Sequence, residues 1–336
     1  MDGTGGDPVK PVAVLGATGA IGGRFVEVVA GDGRAPVRAL VHRWWHTGRI
    51  ARFPIELCSA PTLTADTQID DLAAVLDGAG AAVSLVDGPD LGPEAGTALV
   101  GGCARAGIHR LVHVGCATAT GRRRAFEDAL LAAGDESGVE VAVVAAGLVY
   151  GPFTQAGAHE PLDLVRRGRV AVGAGSAPCP LVYVDDLVEA AWAAAAREER
   201  THGRFLALGP APVTWVDLYE AFGDIVDRAG AAVLPDDELA ALAASDPADL
   251  AELRWPPEPS TSQRAVRSLR RRVGLSVEAR TPRRRLVVPS PDVLAIRSSP
   301  VEPDAVPATA LGWSPVVPFE EGMRRTAAYL RWAEPA

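Results

Sequence analysis

Gly16, Gly19 and Gly22 fall three residues apart, between an apolar run at residues 11–15 and an amphipathic stretch at residues 20–30. No other feature constrains this chain as strongly. A buried strand that turns through glycine straight into a helix is the opening unit of a parallel α/β sheet. Each glycine has a mechanical reason: Gly16 permits the tight turn, Gly19 lets a pyrophosphate approach the backbone, and Gly22 allows the helix to pack closely on the sheet. The helix N-terminus then offers N–H groups and a partial positive charge to phosphates. A glycine-rich turn can also be purely structural. Here the strand before, the helix after and a second strand at the right distance favour dinucleotide binding.

The first half continues the alternation. Strands are expected at residues 11–15, 37–41, 55–58, 81–86, 111–114 and 139–145, with helices at 20–30, 71–76, 97–106 and 122–133. This is a doubly wound, Rossmann-type order. The expected division is a dinucleotide-binding core at residues 1–152 and a mainly substrate-binding lobe at 153–336, with the chain returning to the core around 181–210 and a strand near 204–208. Residues 263–285 hold nine arginines and one acid. They read as an arginine-clad surface helix or, more sharply, as an anion contact around Arg264–Arg285.

Composition excludes several classes of protein. With 336 residues and 48% hydrophobic content, the chain can bury a full α/β core. A net charge of −9 argues against a nucleic-acid surface. The four cysteines, Cys58, Cys103, Cys116 and Cys179, form no Cys-x-x-Cys pair, so neither a zinc site nor a disulfide framework is indicated. No window approaches the ~20 apolar residues of a membrane span, and residues 1–8 do not read as a signal peptide. The expectation is a cytoplasmic protein without metal, membrane or nucleic-acid partners.

The second strand ends in His42 and Arg43 rather than in the acid that holds the ribose hydroxyls of NAD. A positive side chain there favours the 2′-phosphate of NADP, and Arg24 is placed to assist; the alternative is that both arginines are solvated surface groups. Trp44 and Trp45 either cover the adenine or pack under the next loop. Thr18, Ala20 and Ile21 of the turn complete the phosphate side, and Val86 follows the fourth strand. The expected cofactor is NADP(H).

Further motifs carry a resemblance. Residues 71–78 look like a helix leading into the fourth strand. Gly147-Leu148-Val149-Tyr150-Gly151-Pro152 is similar to a loop that passes the nicotinamide, and Val182-Tyr183-Val184-Asp185-Asp186-Leu187 to a structural Val-x-Asp helix start. Ala310-Leu311-Gly312-Trp313-Ser314-Pro315, followed by Phe319-Glu320-Glu321-Gly322, resembles a C-terminal signature. Together these resemble the extended short-chain dehydrogenase/reductases, the epimerase/dehydratase-like superfamily. The resemblance implies contacts from Gly147, Leu148 and Val149 to the cofactor.

It also implies a Ser-Tyr-Lys triad, which this chain lacks. Its only lysine, Lys10, precedes the first strand, so no Tyr-x-x-x-Lys can be written. Where the family has a catalytic serine, the sequence reads Val114-Gly115-Cys116-Ala117-Thr118-Ala119-Thr120-Gly121. Matching Glu127 to the glutamate after the family lysine puts Arg123 at the lysine position and Ala119 at the tyrosine position, with the intervening loop shortened.

The remaining candidates are hydrogen-bonding groups. Thr118, Cys116 and Ser84 are read as orienting a carbonyl, with Thr120 as a further donor. Cys116 reads equally as core, and His113 as a packing histidine. Tyr150 and His159 are candidates for a pocket wall. A substrate with a phenol beside its ketone would deliver its own proton. Aromatic polyketides have that arrangement, and the chain resembles triad-less ketoreductases of angucyclinones. The expected function is therefore NADPH-dependent reduction of an aromatic polyketide ketone. The alternatives are a catalytically silent NADP-binding regulator and, with less support, a nucleotide-sugar epimerase or dehydratase.

Overall fold

In the computed structural model the apolar runs become the strands of one parallel sheet. The structure describes residues 9–88, 91–173, 178–235 and 305–333, with a few positions between 286 and 301. The arginine-rich stretch 263–285 lies outside these residues. Two compact units emerge: residues 1–158, 180–212 and 295–336 form one, and residues 159–179 and 213–294 the other. The C-terminal segment thus groups with the first unit and not with a lobe beginning at 153.

The first unit runs β1 (Val12–Leu15), α1 (Ala20–Gly31), β2 (Val37–Val41), β3 (Glu56–Ser59), α2 (Ile69–Leu76), β4 (Ala81–Ser84), α3 (Pro93–Arg105), β5 (Arg110–Cys116), α4 (Gly121–Ser137), β6 (Glu140–Ala146) and β7 (Leu148–Tyr150). In the second unit, α5 (Glu160–Arg167), β8 (Arg169–Gly173) and β9 (Pro178–Cys179) follow. The first unit resumes with β10 (Leu181–Tyr183), α6 (Val184–Ala196) and β11 (Gly203–Ala207). β12 (Val213–Thr214), α7 (Trp215–Ile225), β13 (Ala231–Leu234) and β14 (Leu286–Val287) belong to the second unit, and β15 (Val306–Pro307) and α8 (Phe319–Ala333) to the first.

The sheet order is β15-β11-β6-β5-β4-β1-β2-β3. All its pairs are parallel, so both faces must be covered by helices, and the central strands β1 and β4 are buried along their whole length. One core cluster includes Phe25, Val29, Leu187, Val188 and Trp313, from α1, α6 and the C-terminal signature. The other includes Leu72, Leu99, Phe126 and Leu130, from α2, α3 and α4. Full burial of such a side chain contributes about 1.5–3 kcal/mol.

Element boundaries shift for local reasons. α3 starts at Pro93, where a proline is tolerated in the first turn, and not at 97. α4 runs to Ser137 and stops at Gly138, whose left-handed φ of 78° ends the helix. Asp186 fixes the C-terminal signature: it is buried, and its carboxylate accepts the Val316 and Val317 N–H groups at 3.0 and 3.1 Å. The second unit holds a three-stranded parallel sheet, β13-β8-β14, and an antiparallel pair, β12 with β9. There α7 opens on a reciprocal cap in which Thr214 Oγ1 accepts the Asp217 N–H and the Asp217 carboxylate accepts the Thr214 N–H. Among the described residues no helix is long and apolar enough to cross a membrane.

Candidate functional site

β1 pairs with β2 on one side and β4 on the other, so the chain reverses its direction of travel across the sheet at β1. The crevice beyond the carboxyl ends of β1 and β4 is where such sheets bind ligands, and the glycine turn sits there. Gly16 has φ +77°, and a Cβ on it would lie 2.7 Å from the Leu85 carbonyl oxygen. A Cβ on Gly22 would overlap the Gly16 carbonyl. Both glycines are demanded by the fold itself.

Gly19 is different. It is exposed, its φ of −72° suits any residue, and a Cβ would meet only the Gly16 oxygen, at 3.3 Å. It forms the N-cap of α1, with no capping side chain and no acid in the first turn. Thr18, Ala20 and Ile21 around it are half-buried. An uncapped helix start, held open by a glycine the fold does not need, fits the diphosphate of a dinucleotide.

At the end of β2, His42 and Arg43 are exposed, as are Trp44 and Trp45, which open a short 3-10 turn (Trp44–Arg49). Arg24 does not join them. Its guanidinium donates to Asp185 Oδ1 and Oδ2 at 2.7 and 3.2 Å and to Glu27 at 3.2 Å. Arg24, expected to assist at the 2′-phosphate, is held in ion pairs to Glu27 and to Asp185, a partner 161 residues away in sequence.

The end of β5 leads into α4 through only Ala117-Ala119 and Thr120 around Thr118. Cys116 is half-buried, and its sulfur lies 3.4 Å from the Thr118 hydroxyl, which is 9% exposed. The Ala117 N–H donates to Ala146 at 2.7 Å, tying the turn to β6. Ala119 is buried, Thr120 is exposed, and Arg123 is an exposed partner of Asp87. Beneath the turn lies a group whose pairing is invisible in the sequence. Glu127, 2% exposed, accepts the Cys116 N–H at 3.0 Å and both terminal nitrogens of Arg204 at 2.7 Å. The one local hint was an arginine inside the otherwise apolar β11.

Ser84 is fully buried, with its Oγ 3.2 Å from His113 Nδ1. That turns it into the sheet and away from a role in orienting a substrate. Burial pushes the His113 imidazole down from 6.5 to about 4, hydrogen bonding at Ser84 opposes the shift, and the Arg204 charge adds to it. The folded ring stays neutral while an unfolded one gains a proton, so the stability tied to His113 is full above 6.5 and is lost as pH falls towards 4. Between pH 7 and 5 the loss is expected to reach about 2 kcal/mol. Urea unfolding across that range measures it, and a His113→Asn variant should lack this share of the pH dependence; an unchanged slope would contradict the assignment.

Gly147 is buried where the chain passes Pro180, and the Leu148 N–H donates to the Pro180 carbonyl at 2.7 Å. Leu148 is buried, Val149 and Val86 are partly exposed. Tyr150 packs edge-on to Tyr183 at 5.3 Å and beside Phe319 at 5.9 Å, and burial raises its hydroxyl above the usual phenol range, making it a weaker acid. His159 falls in the second unit. Among the described residues no group of His, Cys, Asp or Glu gathers to hold a metal ion.

Residues 121–209, from α4 through β11, match the NAD dependent epimerase/dehydratase family. No curated protein sequence matches the chain. Solved structures similar to it include gox2253, at 18% identity over 97% of this chain and 99% of that one, with a TM-score of 0.67. MoeE5 in complex with UDP-glucose and NAD is 16% identical over 96% and 99%, with a TM-score of 0.61. UDP-glucuronic acid 4-epimerase from Bacillus cereus, in complex with UDP-glucuronic acid and NAD, is 13% identical over 96% and 99%, also at 0.61. The chain shares their fold, a large parallel sheet flanked by helices.

Proposed function

We propose that the protein is an NADPH-dependent ketoreductase whose substrate, an aromatic polyketide ketone of angucyclinone type, supplies its own proton. The observation that carries this reading is the exposed, unforced Gly19 at an uncapped helix start, beside a β5 end with no tyrosine or lysine. Backbone N–H groups of residues 20–22 hold the diphosphate, and Arg43 meets the 2′-phosphate. When bound, the nicotinamide supplies a hydride to the carbonyl carbon. Thr118 and Cys116 orient the carbonyl by hydrogen bonding, since a threonine hydroxyl is too weak an acid to protonate it. The oxygen takes its proton from the adjacent phenol, and the phenolate recovers one from water.

Loss of a general acid costs typically 10²- to 10⁴-fold. A hydroxyketone should therefore be reduced faster than its O-methyl ether by about that factor, as read from consumption of NADPH. Thr118→Val should lower the rate only partly. Complete loss with cofactor binding intact would sink substrate assistance. Arg43→Ala should weaken NADPH by roughly 10- to 100-fold, the worth of a charge-assisted hydrogen bond, and leave NADH unchanged.

A second reading, a nucleotide-sugar epimerase or dehydratase, is favoured by the UDP-sugars in MoeE5 and the Bacillus cereus epimerase. Those substrates lack a phenol, so the missing tyrosine and lysine weigh against it. Turnover of a UDP-sugar by the purified protein would establish it. Tight NADPH binding with no turnover of either class would instead indicate a silent NADP-binding regulator.

A further inference from the structure

A cleft of about 580 Å³ opens within the first unit, lined from α1, the 3-10 turn after β2, the segment after β7, the start of α6 and α8. Its lining includes none of the glycine turn, His42 or Arg43. Four arginines face it, Arg24, Arg49, Arg52 and Arg325, against two carboxylates, Glu27 and Asp185. Glu27 alone receives three guanidiniums, from Arg49 at 2.8 Å, Arg24 at 3.2 Å and Arg52 at 3.3 Å. Asp185 receives Arg24 at 2.7 Å and Arg325 at 3.5 Å. Glu321, which also meets Arg325, is shared with Arg324. Among the described residues, two positive charges therefore have no carboxylate of their own, within a chain whose net charge is −9. Like charges held this close repel unless an anion joins them.

The donors are unequally engaged. Arg24 and Arg49 direct Nε and both terminal nitrogens to protein acceptors. The Arg52 side chain is 66% exposed and meets Glu27 through one nitrogen, and Arg325 meets Glu321 through Nε at 2.6 Å and Asp185 at 3.5 Å, so these two are the least engaged arms. The wall opposite is aromatic. The Arg49 guanidinium lies 3.8 Å from the centre of the Phe153 ring, a residue in the left-handed region at φ 68°. Phe153 packs on Tyr329 at 4.6 Å, and Trp332, 75% exposed, continues the row. Holding a phenylalanine in that conformation is strained, and such strain clusters at ligand clamps.

We infer that this cleft is a second binding site, for a small dianion attached to an aromatic ring, a phosphate monoester being the type. Arg52 and Arg325 take the oxygens, as planar guanidiniums do, and Trp332 and Phe153 take the ring.

Calorimetry with phenyl phosphate and inorganic phosphate, on protein saturated with NADPH, tests it. Phenyl phosphate should bind saturably, and several-fold more tightly than phosphate. Arg52→Ala combined with Arg325→Ala should weaken it at least tenfold, while Arg52→Ala alone, whose side chain is 66% exposed, should weaken it with the thermal melt retained. Trp332→Ala should erase the preference for phenyl phosphate while sparing phosphate itself. The proposal is overturned by the absence of saturable binding at millimolar ligand, by unchanged affinity in the double variant, or by NADPH displacing phenyl phosphate. NADPH binding and ketone reduction are read separately, so failure here leaves the proposed activity intact.

Discussion

Arg204→Ala should lower the unfolding free energy by about 3–5 kcal/mol, the range for stranding one partner of a buried ion pair. Arg204 places both terminal nitrogens 2.7 Å from Glu127 Oε2, and the two side chains are 9% and 3% exposed. Without the guanidinium, the buried carboxylate loses two charged donors and keeps the Cys116 N–H at 3.0 Å. Replacing both residues by leucine should cost much less, because two apolar groups leave no buried charge behind. Urea unfolding of Arg204→Leu, Glu127→Leu and the double leucine variant closes a mutant cycle, and simple additivity would refute the coupling. The same pair holds the end of β5, so Arg204→Ala should also loosen the turn carrying Cys116 and Thr118.

That pair marks the boundary of what the sequence makes legible. Strand and helix positions followed from apolar periodicity, and β2 was expected at its observed limits, residues 37–41. Even the return strand was expected within one residue, at 204–208 against Gly203–Ala207. The connection from β5 to α4 is short, residues 117–120. Tertiary partners were not readable. Arg204 finds Glu127 across 77 residues and Arg24 finds Asp185 across 161, separations at which no local pattern operates. Ser84 was expected to orient a carbonyl, yet it is fully buried and pairs in register with His113 on the neighbouring strand. The second unit was read only as loosened helices and short strands, since two-residue strands such as Pro178–Cys179 exist through their pairing with Val213–Thr214 rather than through any periodicity.

The largest expected functional effect separates the glycines that the fold needs from the one it does not. Gly19→Asp should weaken dinucleotide binding at least 100-fold while the protein still folds, the cap gained at α1 offsetting the tight approach to the Gly16 carbonyl. An aspartate suits the N-cap of α1: its carboxylate can accept the orphan N–H groups and complements the helix dipole, together contributing about 1 kcal/mol. The backbone at φ −72° suits any residue, while the 3.3 Å approach to the Gly16 carbonyl oxygen is tight and requires that carbonyl to give by a few tenths of an ångström. Those same N–H groups are the ones a diphosphate would use, so the intramolecular carboxylate both occupies the site and repels its ligand. Gly22→Ala should behave in the opposite sense, since its Cβ would overlap the Gly16 carbonyl and force α1 away from the turn. Overpacking of this kind costs about 1–3 kcal/mol, and more where backbone must move. Thermal melts alongside NADPH titrations read both outcomes. If Gly19→Asp bound NADPH normally, the turn would be structural alone, and the ketoreductase reading would lose the observation that carries it.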